Sequence, residues 1–138
     1  MSRDNFKAYL DTLPAPARIM VVEDDPEDHR LLKAKFLAAN VACELFFVFT
    51  GHEAIERLRA EDFDLVLLDL KMPAQLGDGN YVLDHISATG KDVKIAILSG
   101  SDENVATEAA RHAPVLTWLD KNKFDVEAIR KLFEHLSL

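Results

Sequence analysis

Carboxylate, hydroxyl and ammonium side chains follow the short apolar runs of this sequence. Glu23 and Asp24 follow one run, Asp69 follows another, Ser99 ends a third, and Lys121 comes just after a fourth. Three carboxylates brought together repel one another and need a counter-charge. Mg2+ binds carboxylates, water and phosphoryl oxygens, and a lysine suits phosphate as a mobile point charge. With Asp69 as the nucleophile, this set could support phosphoryl transfer onto a carboxylate.

The elements that must position these side chains are five apolar runs, each followed by a helical pattern. The predicted strands are residues 19–22, 44–50, 65–68, 93–98 and 115–119. Their continuous apolar character is typical of strands covered on both faces. Alternation of strand and helix predicts a parallel sheet with right-handed crossovers and helices on both faces. The carboxyl ends of all five strands then meet at one edge, where open α/β sheets bind their ligands.

Polar residues mark the starts of several predicted helices. Asp25 before Pro26, Thr50 three residues before Glu53, and Ser101 and Asp125 all fit helix caps. We interpret Asp25 as a cap and not as a ligand. Histidines occur on the predicted helices without ligand spacing, and we expect them to lie at the surface. These are His29, His52, His85, His112 and His135.

Length and composition predict one domain with an adequate core. The chain has 138 residues, 49% of them hydrophobic, and a net charge of −8. This charge argues against nucleic acid or an anionic membrane as a direct partner. Cys43 is the only cysteine, which excludes an internal disulfide and a zinc site built from cysteines. The absence of a long apolar run and of a signal-peptide core favours the cytoplasm.

We divide the chain into an N-terminal extension, residues 1–17, and a domain of residues 18–138. Within the extension, Phe6, Tyr9, Leu10 and Leu13 have helical spacing, and prolines follow. The extension either packs or frays as a terminal segment, or serves as a partner-binding or dimerising arm.

Four motifs, each at a strand end and in the right order, resemble the receiver domain of two-component response regulators. The similarity covers residues 18–137, and it implies a flavodoxin-like (βα)5 fold with strand order 2-1-3-4-5. The matching motifs are Ile19-Met20-Val21-Val22-Glu23-Asp24-Asp25, then Leu67-Leu68-Asp69-Leu70-Lys71-Met72-Pro73 with Asp78-Gly79, then Ile97-Leu98-Ser99-Gly100, and Trp118-Leu119-Asp120-Lys121.

The resemblance also implies a role for each site residue. Asp69 would be the phosphoacceptor, and Asp24 and Asp69 would bind Mg2+ directly. The backbone carbonyl of Lys71 would be a third protein ligand, and Glu23 would act through a metal-bound water.

Three further residues would respond to the phosphoryl group. Ser99 matches the switch hydroxyl, Trp118 the aromatic that changes rotamer with it, and Lys121 the lysine that pairs with phosphate. Asn122 stands where the family usually has a proline after a cis bond, which is costly for other residues. Either this peptide is trans and the loop is rebuilt, or strain is retained. The loop of residues 74–77 is also about two residues longer than usual in the family, by this comparison.

The resemblance implies a stand-alone signalling protein, and not a turnover enzyme. A sensor histidine kinase or histidine phosphotransfer protein would phosphorylate Asp69, and the output would be a protein contact with a target, with a further relay protein, or with a second copy. Two alternatives remain open. One is a receiver-like binding module independent of phosphorylation. The other is a haloacid-dehalogenase-like phosphatase, which needs a second acid where this chain has Lys71.

Overall fold

A computed structural model of the chain describes residues 15–90, 92–100 and 115–136, together with Asn5 and Ala8. Its five strands form one parallel sheet in the order β2-β1-β3-β4-β5, which confirms the predicted flavodoxin-like fold. The strands are β1 (Ala17–Val22), β2 (Cys43–Val48), β3 (Leu65–Leu68), β4 (Lys94–Ser99) and β5 (Val115–Asp120). The described helices are α1 (Pro26–Ala39), α2 (Gly51–Ala60), α3 (Gly79–Thr89) and α4 (Val126–Leu136).

Helices cover both faces of the sheet because the central strands are apolar on both sides. In β3, Val66 and Leu68 belong to one core cluster, with side chains of α2 and α3. Leu65 and Leu67 belong to the other, with side chains of α1 and α4. All four are buried, and full burial of each such side chain stabilises the fold by about 1.5–3 kcal/mol. β3 is thereby fixed at the centre of the domain, with Asp69 at its carboxyl end.

The predicted helix caps within the described residues are confirmed. The Asp25 side chain accepts a hydrogen bond from the backbone N–H of Glu27, and Thr50 Oγ1 accepts one from that of Glu53. Asp125 Oδ1 accepts one from the backbone N–H of Ala128. These bonds satisfy amide groups that the first helical turn leaves without a partner.

The structure corrects some strand boundaries and one prediction about burial. β2 runs from Cys43 to Val48 and not from residue 44 to 50, because Thr50 caps α2. β1 begins at Ala17, two residues earlier than predicted. His29 is not at the surface: only 7% of it is exposed.

Three sequence predictions fall on residues outside the described ranges. These are the amphipathic spacing of Phe6, Tyr9, Leu10 and Leu13, the helix expected after Ser101, and the surface position of His112. Among the described helices, none combines the length and the apolar character that a membrane span requires.

Candidate functional site

The two central strands deliver the buried acids of the site side by side. Backbone hydrogen bonding of the sheet continues one residue past β1 and β3: Glu23 N–H donates to Val48 O and Asp69 N–H to Val22 O, both at 3.1 Å. The backbone of each acid is therefore fixed by a neighbouring strand. Glu23 is 3% exposed and Asp69 is 7% exposed.

Glu23, Asp24 and Asp69 form the acidic cluster of this edge. Each offers one carboxylate oxygen, and these oxygens all lie within 4.8 Å of one another. Burial, together with the hydrogen bond to Asp69, raises the pKa of Glu23, although Lys121 acts in the opposite direction. Burial and the neighbouring Glu23 also raise the pKa of Asp24. Three oxygen donors that disfavour one another's charge fit a hard divalent cation such as Mg2+.

Lys121 contacts this cluster through its ammonium group. Its Nζ lies 2.8 Å from Glu23 Oε2, 3.4 Å from Asp69 Oδ2 and 2.7 Å from Asp28 Oδ2. Burial alone would lower the pKa of Lys121, but the hydrogen bonds to Asp28 and Glu23 and the charges of Asp69 and Glu23 together outweigh it, so the pKa is raised. The lysine therefore remains an ammonium and supplies part of the counter-charge.

The loop that carries Lys121 resolves the question raised by Asn122. No peptide bond in the described ranges is cis, so the peptide between Lys121 and Asn122 is trans. Residues 121–123 form a 3-10 turn, and Asp120 Oδ1 accepts a hydrogen bond from the backbone N–H of Asn122. The rebuilt loop still brings the lysine to the acidic cluster.

The segment after Asp69 is held close to its carboxylate. The backbone N–H of Lys71 donates to Asp69 Oδ1 at 3.0 Å, which places the Lys71 peptide beside the acid. A Cβ at Gly79 would lie 2.6 Å from Leu70 Cα and 2.9 Å from Asp69 O. Only glycine therefore allows α3 to begin this close to the end of β3.

Ser99 lies on β4, which pairs with β3, and Trp118 lies on the edge strand β5, which pairs with β4. Ser99 is the last residue of β4 and pairs with Asp120, at the same edge of the sheet as Asp69. Trp118 pairs with Ile97 and is 37% exposed. The switch roles of both residues stay predictions.

The loop after β3 contacts the start of α2. Residues 74–76 form a 3-10 turn, and Gly77 O accepts a hydrogen bond of 3.0 Å from the backbone N–H of Gly51. Beside it, the Tyr81 hydroxyl lies 3.2 Å from His52 Nδ1. This loop thus docks on a neighbouring helix.

Sequence reasoning missed His29, which supports the backbone of the acidic cluster. Its Nε2 lies 2.6 Å from Glu23 O, and its ring packs at 4.9 Å from Phe47 and 4.5 Å from Phe49 between centroids. The signal was present in the periodicity of α1. The apolar face read from Leu32 extends back by three residues to His29.

Sequence reasoning also missed Asp28, whose carboxylate makes the shortest of the three contacts with the Lys121 ammonium. It belongs to the first turn of α1, where acidic residues are common because they favour the positive helix end. Its position four residues after Asp24 was the available signal, but its partner lies 93 residues away in sequence. Only the assembled fold brings the two side chains together.

The fold and the site define a receiver domain, and the sequence matches the response regulator receiver domain family over residues 19–134. The chain belongs to this family, which makes it a receiver domain of a two-component response regulator. Membership argues against the haloacid-dehalogenase alternative.

Three relatives illustrate the similarity. The transcriptional regulatory protein ZraR of Salmonella typhimurium is 31% identical over 117 residues, which are 84% of this chain and 25% of that protein. The chain thus matches about a quarter of that relative's length. The receiver domain of a putative Luxo repressor from Vibrio parahaemolyticus superposes with a TM-score of 0.76 at 23% identity, covering 88% of this chain and 91% of that one. TrrA from Thermotoga maritima, in complex with Mg2+ and BeF, gives a TM-score of 0.72 at 27% identity, covering 87% and 98%.

Proposed function

We propose that the chain accepts a phosphoryl group on Asp69, with Mg2+, from a phosphohistidine of a sensor kinase or phosphotransfer protein. The observation that carries the proposal is the position of Asp69 between two other acids and the ammonium of Lys121. A buried carboxylate in this setting can act as a nucleophile because its charge and that of the incoming phosphoryl group are both offset.

In the transfer, a carboxylate oxygen of Asp69 forms a bond to phosphorus as the P–N bond of phosphohistidine breaks and imidazole leaves. Bound Mg2+ would offset the charge of the carboxylates and of the phosphoryl oxygens. Asp24 and Asp69 would hold it directly, Glu23 through a water, and Lys71 through its backbone carbonyl. Lys71 N–H orients Asp69 through Oδ1, and Lys121 pairs with a phosphoryl oxygen.

The relatives support this chemistry and the nature of the phosphodonor. TrrA, at 27% identity, binds Mg2+ and BeF. Beryllofluoride on a carboxylate mimics an acyl phosphate. Another relative, hybrid signal transduction histidine kinase G of Dictyostelium discoideum, is 25% identical over 60 residues, 44% of this chain and 2% of that protein. A histidine kinase or phosphotransfer protein is accordingly the proposed donor.

The output would be a protein contact, controlled by a population shift. Ser99 would hydrogen-bond the phosphoryl group, and Trp118 on the edge strand β5 would change rotamer with it. The partner would be a downstream target, a further phosphotransfer protein of a relay, or a second copy of the chain. Because an acyl phosphate is labile, loss of the group by hydrolysis would reset the signal. The chain would thus catalyse only its own phosphorylation and dephosphorylation.

Beryllofluoride binding with Mg2+, followed by NMR and by Trp118 fluorescence, tests the proposal. Wild type should show a saturable response that requires Mg2+ and vanishes in Asp69→Asn. Asp84→Asn is the matched control, because it removes an exposed carboxylate from α3. Its response should equal that of wild type. If the NMR spectrum of folded wild-type protein responds to neither Mg2+ nor beryllofluoride, the proposal is wrong, and a phosphate-independent binding module becomes the better interpretation.

A further inference from the structure

Among the described residues, Lys121 has three carboxylate partners, and Asp28 differs from Glu23 and Asp69. Glu23 and Asp69 belong to the acidic cluster that fits a divalent cation. Asp28 does not, although its contact with Nζ, at 2.7 Å, is the shortest of the three. Asp28 is therefore the one partner of the ammonium, among these three, that a bound cation would leave in place.

Lys121 and Mg2+ compete for the same acids. The ammonium donates to Glu23 Oε2 and lies near Asp69 Oδ2. A divalent cation held by this cluster repels the ammonium and binds the same carboxylates. Binding of Mg2+ must therefore weaken two of the three contacts of Lys121.

We propose that Asp28 is a positioning residue, which keeps the ammonium of Lys121 beside the site when Mg2+ binds to the acidic cluster. This inference rests on the proposed function and deepens it. Without Asp28, Lys121 would keep only Glu23 and Asp69 of its partners among the described residues, and its displacement would oppose Mg2+ binding more strongly. With Asp28, the displaced ammonium keeps a partner and stays within reach of an incoming phosphoryl group.

The position of Asp28 suits this role. It lies on the first turn of α1, which Asp25 caps and Pro26 starts, so its backbone is fixed. Its side chain is 26% exposed, so that solvent still hydrates the carboxylate, whereas the Glu23 side chain is only 4% exposed. The Asp28 carboxylate therefore lies at the rim of the site, where solvent reaches it.

The test compares the Mg2+ affinity of wild type and three single variants, measured by isothermal titration calorimetry on the full chain, and repeats two of these substitutions in a Lys121→Met background. Asp28→Asn removes the contact and one negative charge. Glu27→Gln is the matched control, because it removes the same charge from the same turn, where Glu27 pairs with Arg30 and not with Lys121. Asp28→Glu restores the charge and the ability to contact Lys121.

We expect Asp28→Asn to bind Mg2+ about fivefold more weakly than Glu27→Gln. This ratio corresponds to about 1 kcal/mol, the upper value for a partly exposed ion pair. Asp28→Glu should recover most of the affinity. In a Lys121→Met background, Asp28→Asn and Glu27→Gln should bind Mg2+ equally, because the cycle removes the competing ammonium.

The outcomes separate this inference from the proposed function. If wild type binds no Mg2+, the proposed function itself fails. If wild type binds Mg2+ but Asp28→Asn and Glu27→Gln have the same affinity, only the positioning role of Asp28 is wrong. The role is equally wrong if their difference persists without Lys121, because the effect would then be general electrostatics.

Discussion

Replacing Lys121 by methionine tests whether the lysine supplies the counter-charge of the resting site. Methionine keeps the length and apolar stem of the side chain but removes the ammonium. Without Mg2+, Glu23 and Asp69 would then face each other while almost fully buried, at 3% and 7% exposure. We expect a lower stability in a buffer that contains a chelator.

The expected decrease in the free energy of unfolding follows from the burial of Lys121 and its partner Glu23. Removing one partner of a fully buried ion pair costs about 3–5 kcal/mol, and a fully exposed pair is worth about 0–1 kcal/mol. The Lys121 side chain is 28% exposed and its partner Glu23 is 4% exposed, which places the loss near 2 kcal/mol, between these limits. For a chain of 138 residues, that lowers the Tm by about 7 °C.

The decisive assay is thermal unfolding with and without Mg2+. Because the cation replaces the missing positive charge, the Tm of Lys121→Met should rise more on adding Mg2+ than that of wild type, in which the ammonium competes. At a Mg2+ concentration 100 times the Kd of the variant, binding raises the free energy of unfolding of Lys121→Met by about 2.7 kcal/mol. Lys123→Met is the control, because it removes an exposed lysine from the same turn. If Mg2+ raises the Tm of Lys121→Met and of wild type by the same amount, Mg2+ and the Lys121 ammonium do not compete for the same acids.

Three further predictions concern two contacts near the site and one at the opposite edge of the sheet. His29→Phe keeps the aromatic packing but leaves Glu23 O without its buried partner, so urea unfolding should show a loss of about 1–3 kcal/mol; an unchanged midpoint would contradict this. Gly51→Ala would place a Cβ 2.0 Å from Gly77 O, so the loop must move, and NMR should show shifted Gly77 resonances, whereas unshifted resonances would argue against the close contact. Glu61 has a pKa lowered from 4.5 by its hydrogen bonds to two arginines, so its contribution to stability is present above that value and is lost as pH falls through the lowered pKa. Glu61→Gln should accordingly flatten the decline of Tm below pH 4.5, and a decline as steep as in wild type would refute this.

The arrangement of the sheet could be predicted because each strand is a separate short apolar run. Residues 65–68 are all apolar, so both faces of this strand must be covered. A central parallel strand of an α/β sheet meets this requirement. The order 2-1-3-4-5 came from the family resemblance and not from the apolar pattern. The position of Asp69 at the edge then followed from the common direction of the strands.

Contacts of side chains distant in sequence could not be predicted in the same way. His29 was expected at the surface because histidine is polar, but the aromatic residues of β2 and a backbone carbonyl make its burial favourable. Asp28 satisfied a local rule, as an acid in the first turn of a helix. Its contact with Lys121 depends on the assembled sheet, in which the residue after β5 lies near the first turn of α1, and local sequence does not encode this.

The charges around Lys121 explain why one ammonium needs several partners. In the resting site, Glu23, Asp69 and Asp28 surround a single positive charge. Mg2+ would add two positive charges and reduce the need for the lysine at the acids. Phosphorylation of Asp69 would then replace one carboxylate charge by about one and a half to two negative charges, and the need for the ammonium would return. A lysine held at the rim by Asp28 can meet both conditions through rotation of its side chain, without a rearrangement of the backbone.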